Sequence, residues 1–401
     1  MSTPTVDLLG ASALLASLPD RQGFGDATLI RHAPGSIDLG GGNPDTSVLP
    51  TDLYAAAVRD LTDDPGFAAT LRYAPAAGTD SLRALLAERE GVAVERVVVT
   101  SGGIHGLALA VLGTVGRGDA VVVDDPVFPL FLRVLDLVGD VEVVPVRVDG
   151  AGLDVDLLEQ RLRAGLRPAA LFTVATFHNP TGATLSAERS ARLVELAEHY
   201  GFTVFVDDPY REIAFDRDAV PLRPGLRDSD RVIGVHTFSK TLGPGLRLGW
   251  DVVPSHLAPA FVKLRNRLDG QASGFLQEVV QRVLEAPGHE ASLASARQHY
   301  ARKARALREA LVRALGDDVD APEPEGGFFL WARVDPARGD VDRLLDVAQD
   351  EGVFYQRGEW FAVADPQALR GHLRLSFSER SVPELQEGVE RLARAWRSVR
   401  H

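Results

Sequence analysis

The stretch Thr237-Phe238-Ser239-Lys240-Thr241-Leu242-Gly243-Pro244-Gly245-Leu246-Arg247-Leu248-Gly249 sets one amine, several hydroxyls, glycines and a fixed cation in a single short run. A lysine amine condenses with a carbonyl to form a Schiff base. Hydroxyls and backbone N–H groups hold a phosphate, and an arginine such as Arg247 pairs with it bidentately. The run therefore suits a phosphorylated aldehyde. A lone Ser-Lys beside a Gly/Pro turn is more often an exposed lysine, so the decision rests on what surrounds it.

Upstream of this run, from about Arg96, valine-rich apolar runs alternate with helical patterns. Val97–Val99, Ala120–Val123, Val141–Val146, Ala169–Val174, Thr203–Val206 and Val232–Gly234 read as buried strands, with helices such as Ala187–Tyr200 between them. Strands apolar on both faces and separated by helices predict an α/β fold with a mostly parallel sheet flanked by helices. In such sheets ligands collect beyond the carboxyl ends of the strands. Past about Gln277 the character changes to a long Arg/Ala-rich helix over Glu290–Leu315, then Gly326-Gly327-Phe328-Phe329-Leu330-Trp331, a helix near Val341–Glu351 and a strand at His372–Ser376. This predicts a smaller α+β domain over 286–401, joined by the segment 1–46, beside a large domain over 47–285. There is no internal repeat.

The 401 residues are 45% hydrophobic and 25% charged, ordinary for a globular chain long enough for two domains. A net charge of −13 disfavours nucleic acid and anionic lipid as partners and leaves small metabolites. The absence of cysteine excludes disulfides, thiolate metal sites and cysteine nucleophiles, and is compatible with the cytoplasm. Leu8–Leu18 is apolar, but no Lys or Arg precedes it and Asp7 and Pro19-Asp20 bracket it, so it reads as a short amphipathic helix rather than a signal peptide. No run approaches a membrane span.

Three further motifs follow strands. Thr100-Ser101-Gly102-Gly103-Ile104-His105-Gly106 opens a helical run, so its glycines and helix N-terminus can approach a phosphate; no P-loop lysine follows, and nucleotide binding is not indicated. Asn179-Pro180-Thr181-Gly182 is a turn whose amide offers a donor to a phenolate oxygen. Asp207-Asp208-Pro209-Tyr210 ends an apolar strand; a carboxylate there can hold a pyridine nitrogen protonated, and a tyrosine can donate to a ring oxygen. Asp208 reads as a solvated loop acid, whereas Asp207, at the end of a deeply apolar strand, should partner a cation. Pyridoxal 5'-phosphate meets all of these requirements.

Taken in order, with Ile37-Asp38-Leu39-Gly40-Gly41-Gly42-Asn43-Pro44 and Leu71-Arg72-Tyr73-Ala74-Pro75, these motifs resemble fold-type I pyridoxal-phosphate enzymes of the class I/II aminotransferase family over nearly the whole chain. The branch they resemble contains 2-aminoadipate aminotransferases and the aminotransferase-like domain of MocR regulators. The resemblance implies a large domain with a seven-stranded-type sheet. It implies Lys240 as the Schiff-base lysine and proton shuttle, Asp207 on the pyridine nitrogen, and Asn179 and Tyr210 on the ring oxygen. It further implies Phe128 against the ring, and a phosphate among Gly102, Gly103, Ile104, Thr237, Arg247 and Tyr73 from a second subunit of a homodimer. Arg374 would bind the substrate α-carboxylate, with Gly42 closing over it. Tyr355-Gln356-Arg357-Gly358 departs from the branch's usual apolar residue and proline, which makes Arg357 a candidate contact for a substrate side chain. Residues near Phe24 and Leu29 are candidates for a lid.

The activity implied is transfer of an amino group between an L-amino acid and a 2-oxo acid, 2-oxoglutarate in particular, by a ping-pong course. A lyase, cyclase or oxidase acting on an amino acid is the alternative, because one site can serve several fates of the same carbanion. A ligand-sensing domain of a transcriptional regulator is less well matched: only about forty residues precede Gly40, and they hold no basic cluster.

Overall fold

β-branched side chains pack well on a pleated surface, and each valine-rich run named above forms a strand, two of them starting one residue ahead of it at Val141 and Ala169. The computed structural model describes residues 12–19, 34–218, 220–221 and 223–401. In chain order its strands are β1 (Ile37–Asp38), β2 (Val97–Thr100), β3 (Ala120–Asp125), β4 (Glu142–Asp149), β5 (Gly152–Leu153), β6 (Ala170–Val174), β7 (Thr203–Asp207), β8 (Val232–Thr237), β9 (Gly249–Val252), β10 (Val319–Asp320), β11 (Phe329–Val334), β12 (Val353–Phe354), β13 (Gln356–Arg357) and β14 (His372–Ser376). The large sheet runs β2-β9-β8-β7-β6-β3-β4-β5. It is parallel from β8 through β4 and antiparallel at its ends, where β9 lies between β8 and β2 and the two-residue β5 hairpins back on β4. The strand β9 is missing from the valine-rich runs, since Trp250 and Asp251 interrupt its apolar character.

Helices cover both faces of this sheet. Gly103–Thr114, Pro129–Leu135 and Ala258–Leu268 pack on one side, and Val155–Arg163 and Ala187–Tyr200 on the other. A second core gathers β11 and β14 with the helices His289–Leu315, Val341–Asp350 and Val382–Val399, and Ile37 and Leu39 join it. β1 pairs in parallel with β12, and the Ser376 N–H donates to Leu39 O at 2.6 Å. The chain thus returns from its N-terminal side to the C-terminal sheet before the large sheet begins. Of the expected N-terminal helix, Ala13–Ser17 is helical, capped by the Ser12 hydroxyl accepting from Leu15 N–H. Residues 8–11 and the lid candidates Phe24 and Leu29 lie outside the described residues. Among the described residues no helix is long and apolar enough to cross a membrane.

Register brings two acids onto one transverse row. Val174 pairs with Asp207, Asp207 with Val235, Val235 with Asp251 and Asp251 with Val98. Side chains of one such row share a face, here the face under helix Gly103–Thr114. Asp251 fits because residue 106 is glycine: a Cβ there would lie 2.2 Å from Asp251 Oδ1. Burial pushes the Asp251 carboxyl well above the usual carboxylate range, with Asp207 adding to the rise and Arg265 opposing it. Folding therefore favours its protonated form, and this group's contribution to stability is lost as pH rises from about 4 toward the folded pKa. Asp251→Asn keeps the shape without titrating. Its melting temperature should match wild type near pH 4 and exceed it by a growing margin toward about pH 8; parallel melting curves across that range would disprove the assignment.

Candidate active site

The ends of β7 and β8 deliver the two groups whose chemistry matters most. Asp207 closes β7 with 6% of its surface exposed, and among the described residues no donor reaches its carboxylate. Burial, then the neighbouring Asp208, push its pKa up to about 7 against the pull of Lys240. An ionised carboxylate left so costs several kcal/mol, so the position is suited to a ligand that brings a cationic N–H. Lys240 lies in the turn after β8, and its Nζ donates to Gly42 O at 2.8 Å. Burial, then Arg374, push this amine down to about 8, with Asp207 opposing. Near pH 7 about a tenth is then unprotonated, far more than for an ordinary lysine, and able to act as nucleophile or base. The rings of Tyr210 and Phe328 stand 5.7 Å from Nζ on either account.

A cradle closes the other end of the site. Gly102 has φ +95°, and a Cβ there would come within 2.7 Å of Arg247 Nη2; only glycine lets the backbone and the guanidinium meet. Helix Gly103–Thr114 begins next, and its first internal bond is Gly106 N–H to Gly102 O, so the amides of Gly103 and Ile104 point out of the helix end. Thr237 lies beside Gly103: a Cβ on that glycine would meet Thr237 Cβ at 3.6 Å. Ser239 N–H donates to Thr237 Oγ1 at 3.1 Å, and the Thr237 hydroxyl donates to Ser239 Oγ at 2.9 Å. Arg247, at φ +49° and exposed, donates weakly to Pro244 O and Ser101 O at 3.3 Å. Amides at a helix end, hydroxyls and an arginine with only long bonds make an anion site.

Arg374 is fully buried at the centre of β14, opposite Trp331 of β11 and Gln356 of β13. Its Nη1 donates to Asn179 Oδ1 at 2.8 Å and its Nη2 to Gly40 O. The Phe329 ring lies 4.0 Å from the guanidinium carbon and the Phe361 ring 5.1 Å. Burial pushes this guanidinium down to about 9 against Tyr210 and Asp38, a buried cation that a bound carboxylate would stabilise. Tyr210 is buried edge-on against Phe328 and Phe329, and burial raises its phenol above the usual range while Arg374 opposes the rise. Phe128 caps helix Pro129–Leu135, half-buried.

The sequence profile of aminotransferase class I and II matches residues 35–392. The chain belongs to that family. Aromatic-amino-acid aminotransferase 1 of Thermococcus litoralis is 30% identical over 368 residues, 89% of this chain and 87% of that one. The 2-aminoadipate transaminase of Thermus thermophilus is 30% identical over 92% of both chains. The crystal structure of alpha-aminoadipate aminotransferase from Thermus thermophilus, complexed with N-(5'-phosphopyridoxyl)-L-leucine, has a TM-score of 0.82 at 29% identity, covering 91% of this chain and 93% of its own. The protein is thus a fold-type I, pyridoxal-phosphate-dependent aminotransferase. The orphaned Asp207 carboxylate and the Gly102–Arg247 cradle fit the two ends of that cofactor.

Tyr73 is 99% exposed, so packing within its own chain does not explain it. Arg357 is not brought to Arg374. In β13 it pairs with Leu373 while its neighbour Gln356 pairs with Arg374, so Gln356 shares the face of Arg374 and Arg357 takes the other. The Arg357 guanidinium bonds Glu359 at 2.7 Å and Asp342 at 3.5 Å. The departure from the branch's usual residues makes Arg357 a candidate contact for a substrate side chain; strand alternation and its bonds to Glu359 and Asp342 turn it from the face of Arg374. The sequence reading left out Gly40, Phe329 and Phe361 as neighbours of Arg374. The run Gly326–Trp331, with two adjacent phenylalanines where β11 begins, carries a signal for one of them.

Proposed function

We propose that this aminotransferase moves an amino group between an L-amino acid and a 2-oxo acid, 2-oxoglutarate as acceptor, in a ping-pong course. The observation carrying this reading is that the amine of Lys240 and the fork of Arg374 rest on carbonyls two residues apart, Gly42 and Gly40. A base and a carboxylate receptor are thereby held side by side. Arg374 would exchange Gly40 O for the substrate α-carboxylate, so both substrates use it in turn. Lys240, with its pKa near 8, would take the proton from the substrate Cα and return it. Asp207 would hold a proton on the ring nitrogen, Asn179 and Tyr210 would meet the ring oxygen, and Phe128 would cover the ring. The phosphate would lie on Gly102, Gly103, Ile104, Thr237 and Arg247. Bound there, pyridoxal phosphate supplies a carbonyl for the amino group and a protonated ring that accepts the electron pair at Cα.

The exposure of Tyr73 supports its reaching the phosphate of a second copy in a homodimer, the commonest closed assembly. Domain limits of 47–285 and 286–401, with 1–46 joining the latter, belong to the same reading. The absence of cysteine supports a cytoplasmic place. Incubating holoenzyme with single L-amino acids and no acceptor should release one equivalent of 2-oxo acid and then stop until 2-oxoglutarate is added. Continuous product without an acceptor would establish a lyase or oxidase in its place. Full activity from a species that sediments as a monomer would remove Tyr73 from the site.

A further inference from the structure

The strip Gly40–Asp45 is held from behind by groups the chemistry does not use. His299, Tyr300 and Lys303 lie within helix His289–Leu315, and the i, i+4 spacing of His299 and Lys303 sets both on one face. Both reach the same oxygen: Asp45 Oδ2 accepts from Lys303 Nζ at 2.7 Å and faces His299 Nε2 at 2.8 Å. The Asp45 N–H donates to the Tyr300 hydroxyl at 3.0 Å. Lys303 Nζ also donates to Ser378 O at 2.6 Å, and the Ser378 hydroxyl in turn donates to Asn43 O at 2.5 Å. One ammonium therefore ties down the far end of the strip and the residue that grips its middle.

Lys303 is 1% exposed and Ser378 fully buried. Taking an ammonium out of water costs several kcal/mol, and an apolar residue of similar volume commonly stabilises a core as well or better. A buried lysine at this place is therefore poorly explained by stability alone. Its bonds lead instead to the segment whose Gly40 and Gly42 carbonyls hold Arg374 and Lys240.

We propose that Lys303 is a positioning residue which, through Asp45 and Ser378, fixes the reach of the Gly40 and Gly42 carbonyls and so sets how tightly Arg374 receives a substrate carboxylate. The inference rests on the function proposed above. A strip free to shift by a fraction of an ångström would leave Arg374 and Lys240 chemically intact but misplace the space between them.

The test compares holoenzymes of wild type, Lys303→Met and Ser378→Ala, the last removing the hydroxyl's bonds to Asn43 O and Ser376 Oγ while leaving Ser378 O to accept from Lys303. Lys303→Met should raise KM for amino donor and oxo acid together by about tenfold, with kcat changing by less, and Ser378→Ala should raise both by about threefold. Calorimetric Kd for 3-phenylpropionate, a carboxylate that cannot react, should rise by the same factors. Affinity for pyridoxal phosphate, by equilibrium dialysis, should stay within about twofold because the cradle is held by other elements. Adding Asp45→Asn to Lys303→Met should raise KM by less than Asp45→Asn does alone, since the two share the ion pair between Lys303 and Asp45. A fall in melting temperature with unchanged KM and unchanged 3-phenylpropionate Kd would overturn the proposal, and Ser378→Ala decides by itself if Lys303→Met is insoluble. Wild type that binds 3-phenylpropionate yet transaminates no donor would remove the proposed function, and the Kd comparison would still judge the positioning role.

Discussion

Turnover should fall by at least about 10⁴-fold in Lys240→Ala, because one side chain is asked to supply both the nucleophile and the proton carrier. The fold should not fall with it. Among the described residues Lys240 Nζ makes one hydrogen bond, to Gly42 O, and burial depresses its pKa to about 8. A lysine whose folded pKa is lowered destabilises the fold wherever the unfolded chain would hold its proton more tightly, which is the whole range below about pH 10. Removing it relieves that cost, so the cofactor-free variant should melt at or above the wild-type temperature at neutral pH. The holoprotein should also lose the visible band that borohydride bleaches as it attaches the cofactor covalently. Activity within tenfold of wild type, or cofactor covalently attached by borohydride in Lys240→Ala, would remove Lys240 from the centre of the site. A collapsed melting temperature would show instead that its burial serves the core.

Much of this site is legible in the sequence because each part follows a strand. Lys240, Asp207, Asn179 and the Gly102–Ile104 turn are each announced by a local run of unusual composition, and the parallel sheet then gathers them at one edge without further information. What local composition does not carry is register. Gln356 and Arg357 are adjacent, and only the pairing of β13 with β14 tells which of them shares a face with Arg374. The alternation has a period of two, so a reading of residue type alone has even odds of choosing the wrong neighbour. Strand β9 was hidden for another reason. Asp251 breaks its apolar run, and that acid is tolerated only because Gly106, far away in sequence, leaves room for it. The anchoring of the Gly40–Asp45 strip by Lys303 is equally invisible, since a lysine within an Arg/Ala-rich helix reads as a solvated residue until the helix is placed.

The same alternation gives the second large prediction its sharpness. Asp207 and Asp208 are consecutive, so they face opposite sides of the sheet. Asp207 shares its row with Val235 and Asp251 under helix Gly103–Thr114, whereas the Asp208 carboxylate lies 3.9 Å from Arg211, which is itself bound to Glu90. On the function proposed above, Asp207 rather than Asp208 would hold a proton on the ring nitrogen. Asp207→Asn presents a neutral amide there, and kcat should drop by at least about 10³-fold as the site loses its electron sink. Its effect on the fold has the opposite sign. A carboxyl raised to about 7 contributes stability that is lost as pH climbs from about 4 through 7, so the cofactor-free Asp207→Asn protein should melt higher than wild type at about pH 8. Asp208→Asn should do the reverse, keeping kcat within about tenfold while lowering the melting temperature, because Arg211 loses a counter-charge in a part-buried network. Measuring kcat and melting temperature for both variants makes the outcome a crossed pair. If Asp208→Asn is the dead enzyme and Asp207→Asn the unstable one, the carboxylate that faces the cofactor is Asp208, and the row shared by Asp207 and Asp251 belongs to the core alone.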